Sequence, residues 1–459
     1  MGKLSNILRI PELMQKLGIT LLFLAIYRVG FSIPLPYIDQ EKLNRSMGGS
    51  GGLNSVFNFV SMFSGGDLSG ATVFGLGIMP YISAGIIMQL MAYVVPALHR
   101  LQKEEGQAGQ KQINKYTRLL TVVICTVQAG FYLNYLLGDK GGASSGSMGF
   151  PDASLPAGYF IAMLLSMVVG TLFLMWIGEQ IDEYGIGNGV SLIIMAGILA
   201  RLPAAVITLL YEQTATGWRF KDSVLTLGGS GQDMSFERLA TLVVLFIAVV
   251  VAVVIITRAQ RRIPMQSARH VRGSRAFGAA GRQYLPIKIN QAGVMPVIFA
   301  SSLLTLPYFL FTAMASSTQW EWARRIADAF QRQGWVYCVS EILLIYLFSY
   351  VWTGVIFDPK EISENLKRGG NFIPGYRPGV RTAEYIDRVL LRITYVGSAF
   401  LAVIAISPTL VSSFLEVRPD VAQFFGGTSL LIVVSVALDV VQRINSHLVM
   451  RNYPGLTDD

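Results

Sequence analysis

Long apolar runs separated by short polar connectors dominate this chain. Runs long enough to cross a bilayer, about 20 residues at 1.5 Å per residue, lie near residues 17–36, 71–98, 117–137, 157–178, 186–211, 238–257, 285–314, 335–357, 393–415 and 424–442. The pattern predicts an all-α integral membrane protein with ten transmembrane helices. The first run has no small-residue cleavage site and is followed by further spans, so it reads as a span rather than a cleavable signal.

One stretch departs from the pattern. Over residues 57–93 a short amphipathic run, with Phe57, Phe59, Val60, Met62 and Phe63 as its apolar face, ends at Ser64-Gly65-Gly66. The apolar run that follows is interrupted by Gly75, Gly77 and Pro80. Apolar pieces of roughly 10–14 residues are too short to span and suggest re-entry. Irregular backbone at membrane depth is tolerated only where protein buries it or water reaches it. A re-entrant plug helix near 56–70 leading into a broken span therefore predicts an aqueous path with a stopper. An amphipathic helix lying on the membrane surface would present the same apolar face.

Five spans on each side of a Gly-, Thr- and Ser-rich stretch near 201–238 give two halves, residues 1–215 and 216–459. Five is odd, so the halves run in opposite senses across the membrane, as in inverted-repeat architectures. Span two contains Gly77-Ile78-Met79-Pro80 and span seven Gly293-Val294-Met295-Pro296. Proline kinks a helix, so both spans are expected to bend at corresponding depths.

Composition agrees with a membrane class: 52% of residues are hydrophobic and only 14% charged, where soluble domains carry about a quarter charged. Basic residues concentrate on segments that face the cytoplasm if both termini lie there. The loop 179–185 is acidic, with Glu179, Asp182 and Glu183, but acids weigh little in that rule. Within the cytoplasmic loop 258–288 there are eight Lys or Arg, including Arg261 and Arg262, and no Asp or Glu. Such a loop should attract RNA phosphates, an acidic protein or anionic lipid headgroups. The second large cytoplasmic loop, 358–392, alternates in charge and carries Arg377 between Tyr376 and Pro378-Gly379, at an expected tip.

Chemistry-bearing residues are sparse. Cys125 and Cys338 sit inside spans as small hydrophobes, and His99, His270 and His447 are scattered. No metal or other cofactor is expected. There is no G-x-x-x-x-G-K-[ST] phosphate loop and no H-E-x-x-H, so the pattern argues against an enzyme and against nucleotide hydrolysis by this chain. Arg28 and Glu341, near outer span ends, are expected to snorkel, and Asp439 to pair with Arg443 four residues on. An ion-coupled transporter would also use inverted repeats and broken helices, but it would place polar groups where these broken spans carry Ile and Gly.

The wording of the chain resembles the bacterial SecY family, the central subunit of the protein-translocation channel. Ser64-Gly65-Gly66, Leu76-Gly77-Ile78-Met79-Pro80-Tyr81-Ile82-Ser83-Ala84, Trp176-Ile177-Gly178-Glu179-Gln180, Gly185-Ile186-Gly187-Asn188-Gly189, Gln260-Arg261-Arg262, Ile298-Phe299-Ala300-Ser301-Ser302, Arg377-Pro378-Gly379 and Phe425-Gly426-Gly427-Thr428-Ser429-Leu430-Leu431-Ile432 carry the likeness in one order. The resemblance implies a clamshell of two halves and a pore ring of Ile78, Ile82, Val190, Ile194, Ile298 and Ile432. Narrow aliphatic constrictions dewet and block hydrated ions. The pairs 78/82 and 190/194 each share a helix face. Val190 stands where many relatives have Ile.

It further implies a lateral gate toward lipid, for which Gln89, Gln128 and Asn290 (at the start of span seven) are the polar candidates. Amide contacts between membrane helices are weak enough, ~0.6 kcal/mol, to break when a signal inserts. Arg261, Arg262 and Arg377 are implied contacts for a translating ribosome and a SecA motor ATPase. SecE-type and SecG-type small membrane subunits, signal sequences and unfolded polypeptides are the other implied partners, in the bacterial cytoplasmic membrane.

Overall fold

Apolar runs fold as helices here wherever proline and glycine permit. The computed structural model describes residues 10–38, 71–103, 106–137, 157–214, 217–220, 236–267, 270–272, 275–277, 283–301, 303–304, 311, 321–330, 334–415 and 427–450. The helices used below are α1 (Pro11–Gly30), α2 (Met79–Val94), α3 (Pro96–Lys103), α4 (Gly106–Leu137), α5 (Ala157–Tyr184), α6 (Gly189–Leu210), α7 (Phe236–Arg258), α8 (295–301), α9 (Glu321–Ala329), α10 (Trp335–Ile356), α11 (Pro359–Arg368), α12 (Val380–Leu415) and α13 (Thr428–Met450). Among the described residues seven helices are long and apolar enough to cross a membrane. Two shorter ones, Met79–Ala92 and Gly189–Pro203, stand at two more of the expected spans. The chain is a multi-pass helical membrane protein.

Several boundaries differ from the hydropathy reading, each for a local reason. The run 71–98 is helical only over Met79–Val94: Val95 is extended before Pro96, which starts the short α3, because a residue preceding proline is pushed out of the α region. The run 285–314 does not begin as a helix. Residues Gln283–Lys288 form strand β6, paired with β3 (Gln260–Ser267), and helix starts only at Met295. The acidic segment 179–185 is no loop: α5 continues to Tyr184. Outside the spans, β1 (Tyr211–Thr214) and β2 (Gly217–Phe220) make a hairpin, and β4 (His270–Arg272) pairs with β5 (Arg275–Phe277), so strands accompany the helices.

The two prolines expected to kink spans two and seven instead open helices. Pro80 lies in the first turn of α2 and Pro296 is the second residue of α8, positions where the missing N–H would have had no helical partner anyway. Gly77 (φ 58°) and Gly293 (φ 63°) both occupy the left-handed region just before the Met-Pro start, which glycine enters without a Cβ clash. Spans two and seven thus share a backbone device: left-handed glycine, one aliphatic residue, then a Met-Pro helix start.

The chain divides into two compact units. The first comprises Met1–Thr208, Phe309–Gln319 and Val436–Asp459; the second, Leu209–Tyr308 and Trp320–Ser435. In the first, Leu35, Ala71, Leu76, Cys125, Ala129, Leu133, Met163 and Met167 form one core. A second core there packs Ile10, just before α1, and Leu13 on α1 with Ile186, Ile444 and Leu448. In the second unit the membrane helices α10 and α12 pack on each other. The loops of this unit that carry β3, β6 and α11 have their own core of Ile263, Ile287, Ile373, Ile386, Val389, Leu390 and Ile393.

Glu341 does not snorkel. It is 3% exposed, because it shares the inward face of α10 with Tyr337, Ile345 and Phe348 at i−4, i+4 and i+7. Asp439 and Arg443 pair within α13 at 2.9 Å as expected. Arg28 is exposed in the last turn of α1.

Candidate functional site

The broken span of the first unit is held by its own backbone. Leu35 donates its N–H to the Ala71 carbonyl (2.9 Å) and Val73 to that of Ile33 (3.0 Å), with a bridge between Pro34 and Thr72. Two tight turns follow, Gly75 N–H to Thr72 O at 2.9 Å and Gly77 N–H to Phe74 O at 2.8 Å. Polar backbone that a helix would satisfy internally is therefore paired locally, which irregular chain at membrane depth requires. This strapped segment delivers Ile78, with 0% exposure, to the start of α2, and Ile82 N–H bonds back to the Ile78 carbonyl at 3.1 Å.

The other aliphatic candidates also sit at or near helix starts. Val190 and Ile194 occupy the first two turns of α6, Val190 half-buried beside Gly178 of α5 and Ile194 buried. That corner is built from polar groups: the Asn188 side chain accepts hydrogen bonds from the N–H and the hydroxyl of Ser191 (both 3.0 Å), and Asp182 accepts from Gly189 N–H at 2.7 Å. A side-chain acceptor at the N-cap satisfies an orphan N–H of the first turn. From α1, the Thr20 hydroxyl accepts from Ile186 N–H at 3.1 Å. In the second unit Ile298 is buried on α8. Its neighbour Phe299 meets Phe348 and Trp352 edge-on, with centroids 5.8 and 5.3 Å apart. Ile432 is buried in the first turns of α13.

The polar gate candidates differ from one another. Gln89 is half-buried on α2, and its buried Oε1 has no hydrogen-bond partner among the described residues. Gln128 is half-buried on α4. Asn290 is not on a helix: it precedes α8, and its side-chain amide donates to the Gly293 carbonyl at 3.0 Å, closing the turn that the left-handed glycine makes. The plug residues Phe57, Phe59, Val60, Met62, Phe63, Ser64, Gly65 and Gly66 lie outside the described residues.

Outside the spans, residues from two distant loops share one sheet, in the order β6, β3 and β7 (Asn371–Phe372). The end of β3 pairs with β7 through Gln266↔Phe372 and Ser267↔Asn371. Arg261 and Arg262 are exposed on β3. Arg377 is exposed on a tip whose backbone is clamped: Thr382 donates its hydroxyl to the Arg377 carbonyl (2.9 Å) and Ser363 to that of Gly379 (2.6 Å). The Tyr376 ring stacks on Tyr385 at 4.2 Å. A bidentate pair also joins Arg118 on α4 to Glu179 on α5, both bonds 2.8 Å, across a separation of 61 residues. Nothing in a hydropathy profile joins two charges that far apart.

The SecY family model matches residues 72–441. The protein translocase subunit SecY of Thermotoga maritima is 39% identical over 454 residues, covering 98% of this chain and 96% of that one. That of Aquifex aeolicus is 41% identical over 455 residues, covering 98% of each. A solved protein-conducting channel superimposes with a TM-score of 0.61 at 18% identity, over 97% of this chain and 95% of that one. Sec61 from a canine ribosome-channel complex of the endoplasmic reticulum gives 0.58 at 17% identity, over 97% and 95%.

Proposed function

The chain belongs to the SecY family, and from that membership we infer that it is the polypeptide-conducting subunit of a protein-translocation channel. As such it passes unfolded secretory chains across the membrane and releases hydrophobic segments sideways into lipid. It is a channel subunit rather than an enzyme, so the work of transport comes from outside the chain. We place it in the bacterial cytoplasmic membrane with both termini cytoplasmic, in two inverted halves, 1–215 and 216–459.

The observation that carries this reading is the broken second span. A strapped, non-helical segment brings a wholly buried aliphatic side chain, Ile78, to a helix start inside the membrane part of the fold. Ile78, Ile82, Val190, Ile194, Ile298 and Ile432 supply the apolar constriction in this account. Aliphatic side chains exclude hydrated ions by dewetting and make no directional bonds that would hold a passing polymer. The segment 56–70 acts as the plug, and Gln89, Gln128 and Asn290 serve the lateral gate.

The outer partners follow from surface chemistry and family. Exposed Arg261, Arg262 and Arg377 suit ribosomal RNA and a SecA-type motor. Apolar helix faces left bare, as on α7, suit lipid and SecE-type and SecG-type subunits. Replacing Ile82 or Ile432 with Asn tests the constriction. Resting ion conductance should rise and defective signal sequences should be accepted; an ion-tight channel with unchanged signal stringency would refute it.

A further inference from the structure

The aliphatic side chains assigned to the constriction need a rigid mount, and the first unit contains one that the hydropathy pattern does not announce. The Phe74 ring lies over Gly30 so closely that a Cβ on Gly30 would overlap it. On the opposite flank, the Val73 carbonyl lies against Gly170 of α5, where a Cβ would collide with backbone. Phe74 also meets Phe31 edge-on at 5.8 Å and Phe173 at 6.0 Å. From these two the contacts continue through Tyr27 (4.9 Å from Phe31) and Trp176 (5.7 Å from Phe173), and Phe23 adds an edge contact to Trp176 at 6.0 Å. Aromatic pairs at 4.5–7 Å contribute beyond the area they bury, so Phe74 is keyed into rings at the end of α1 and on α5.

The backbone around it is constrained to match. Ala71 has φ 43°, in the left-handed region that non-glycine residues rarely adopt. Such a conformation persists only where the surroundings over-determine it. Here they do: Ala71 accepts the Leu35 N–H, and Ala71 is itself fully buried. Phe74 precedes Ile78 by one turn's length of chain, and its carbonyl closes the turn at Gly77 from which Ile78 and α2 emerge.

We propose that Phe74, seated in the notch left by Gly30 and braced where Val73 meets Gly170, is the positioning residue that holds Ile78, and through it Ile82, at the constriction. This rests on the reading of those two residues as part of the seal. Its content is that the seal's first half is set from behind, by an aromatic key between spans one and four, and not only by contacts of the aliphatic side chains themselves.

The test uses the full chain with its copurifying membrane subunits, with Cys125 and Cys338 replaced by Ala and Ile78→Cys introduced as a reporter. The rate of labelling by a membrane-impermeant thiol reagent is read in proteoliposomes. With the mount intact the reporter should label slowly. Gly30→Ala, which displaces the ring, and Phe74→Ala, which removes it, should each label at least about tenfold faster, as expected when local opening becomes easier. The swap Gly30→Leu with Phe74→Ala refills the notch from the other side and should restore slow labelling, which a general loss of stability would not allow. Phe74→Leu serves if Phe74→Ala does not assemble, with the same direction expected.

Unchanged labelling in the single variants, or a swap that labels as fast as Phe74→Ala, overturns the mount. Resting conductance of Ile82→Asn, without the reporter, is measured in parallel. A leak there with unchanged labelling in the notch variants keeps the seal and rejects the mount. Fast labelling beside an ion-tight Ile82→Asn channel supports the mount and rejects the seal.

Discussion

In the partner-contact role proposed for it, Arg377 is held ready by its surroundings. Its backbone is fixed by the Thr382 and Ser363 hydroxyls and by the stacked Tyr376, while its side chain remains exposed. Pre-ordering of this kind lowers the entropy lost on binding. Arg377→Glu should therefore block motor-driven export while membrane insertion of the channel stays normal, checked by secretion of a reporter and by recovery from membranes; normal secretion would remove the role. The Arg118–Glu179 pair is a different case. Its geometry is bidentate, which favours strength, but the side chains are 54% and 25% exposed. Water and salt screen such pairs, so Arg118→Ala should cost less than about 1 kcal/mol of stability, read by thermal unfolding in detergent. A larger loss would mean that the pair has work beyond joining α4 to α5.

At the level of elements, the decisive feature is that the two large loops, 258–288 and 358–392, are one body. β3 carries the basic residues and also pairs with β7, just ahead of the Arg377 tip. Ile263 of β3 packs with Ile373 and Ile386 from the other loop. Ile263→Ala should cost about 2–4 kcal/mol locally and impair export in the manner of Arg377→Glu, although it removes no charge; intact export by that variant would show the loops act separately. Reversing Arg261 and Arg262 to Glu should weaken co-sedimentation with ribosomes or motor, and the salt dependence of binding should flatten because fewer phosphate or carboxylate contacts remain. Equal binding would take the partner off this face.

This union of loops was not legible in the sequence. Its strands lie about a hundred residues apart, and the run from 285 reads as the start of a span because Leu285, Pro286 and Ile287 are apolar on a strand too short to betray its period. The helices of the membrane part were legible, since a sustained apolar run leaves little choice in lipid. The prolines are visible in the sequence but their place is not: Pro80 and Pro296 start helices, each three residues after a left-handed glycine. Position along the chain puts Glu341 near a span end, but its place on the inward face of α10 decides its burial. Phe74 passed as one more apolar residue, because what singles it out is Gly30, some forty positions away.

For the molecule as a whole, the account is of a gated passage without an engine. The chain belongs to a family of channel subunits, and it carries no nucleotide-binding loop of the G-x-x-x-x-G-K-[ST] kind. Its interior candidates are aliphatic where a solute carrier would show polar groups. What the whole must do is remain tight to ions at rest and yet open for a polymer. The measurement that meets this most directly is ion current across a planar bilayer containing the full chain with its copurifying subunits. It is recorded at rest, then with a translocating polypeptide lodged in the channel, then after that polypeptide is released. The account predicts almost no current at rest or while the polypeptide fills the channel, and a large current on its release before the seal re-forms. A steady current at rest, or none on release, would contradict it.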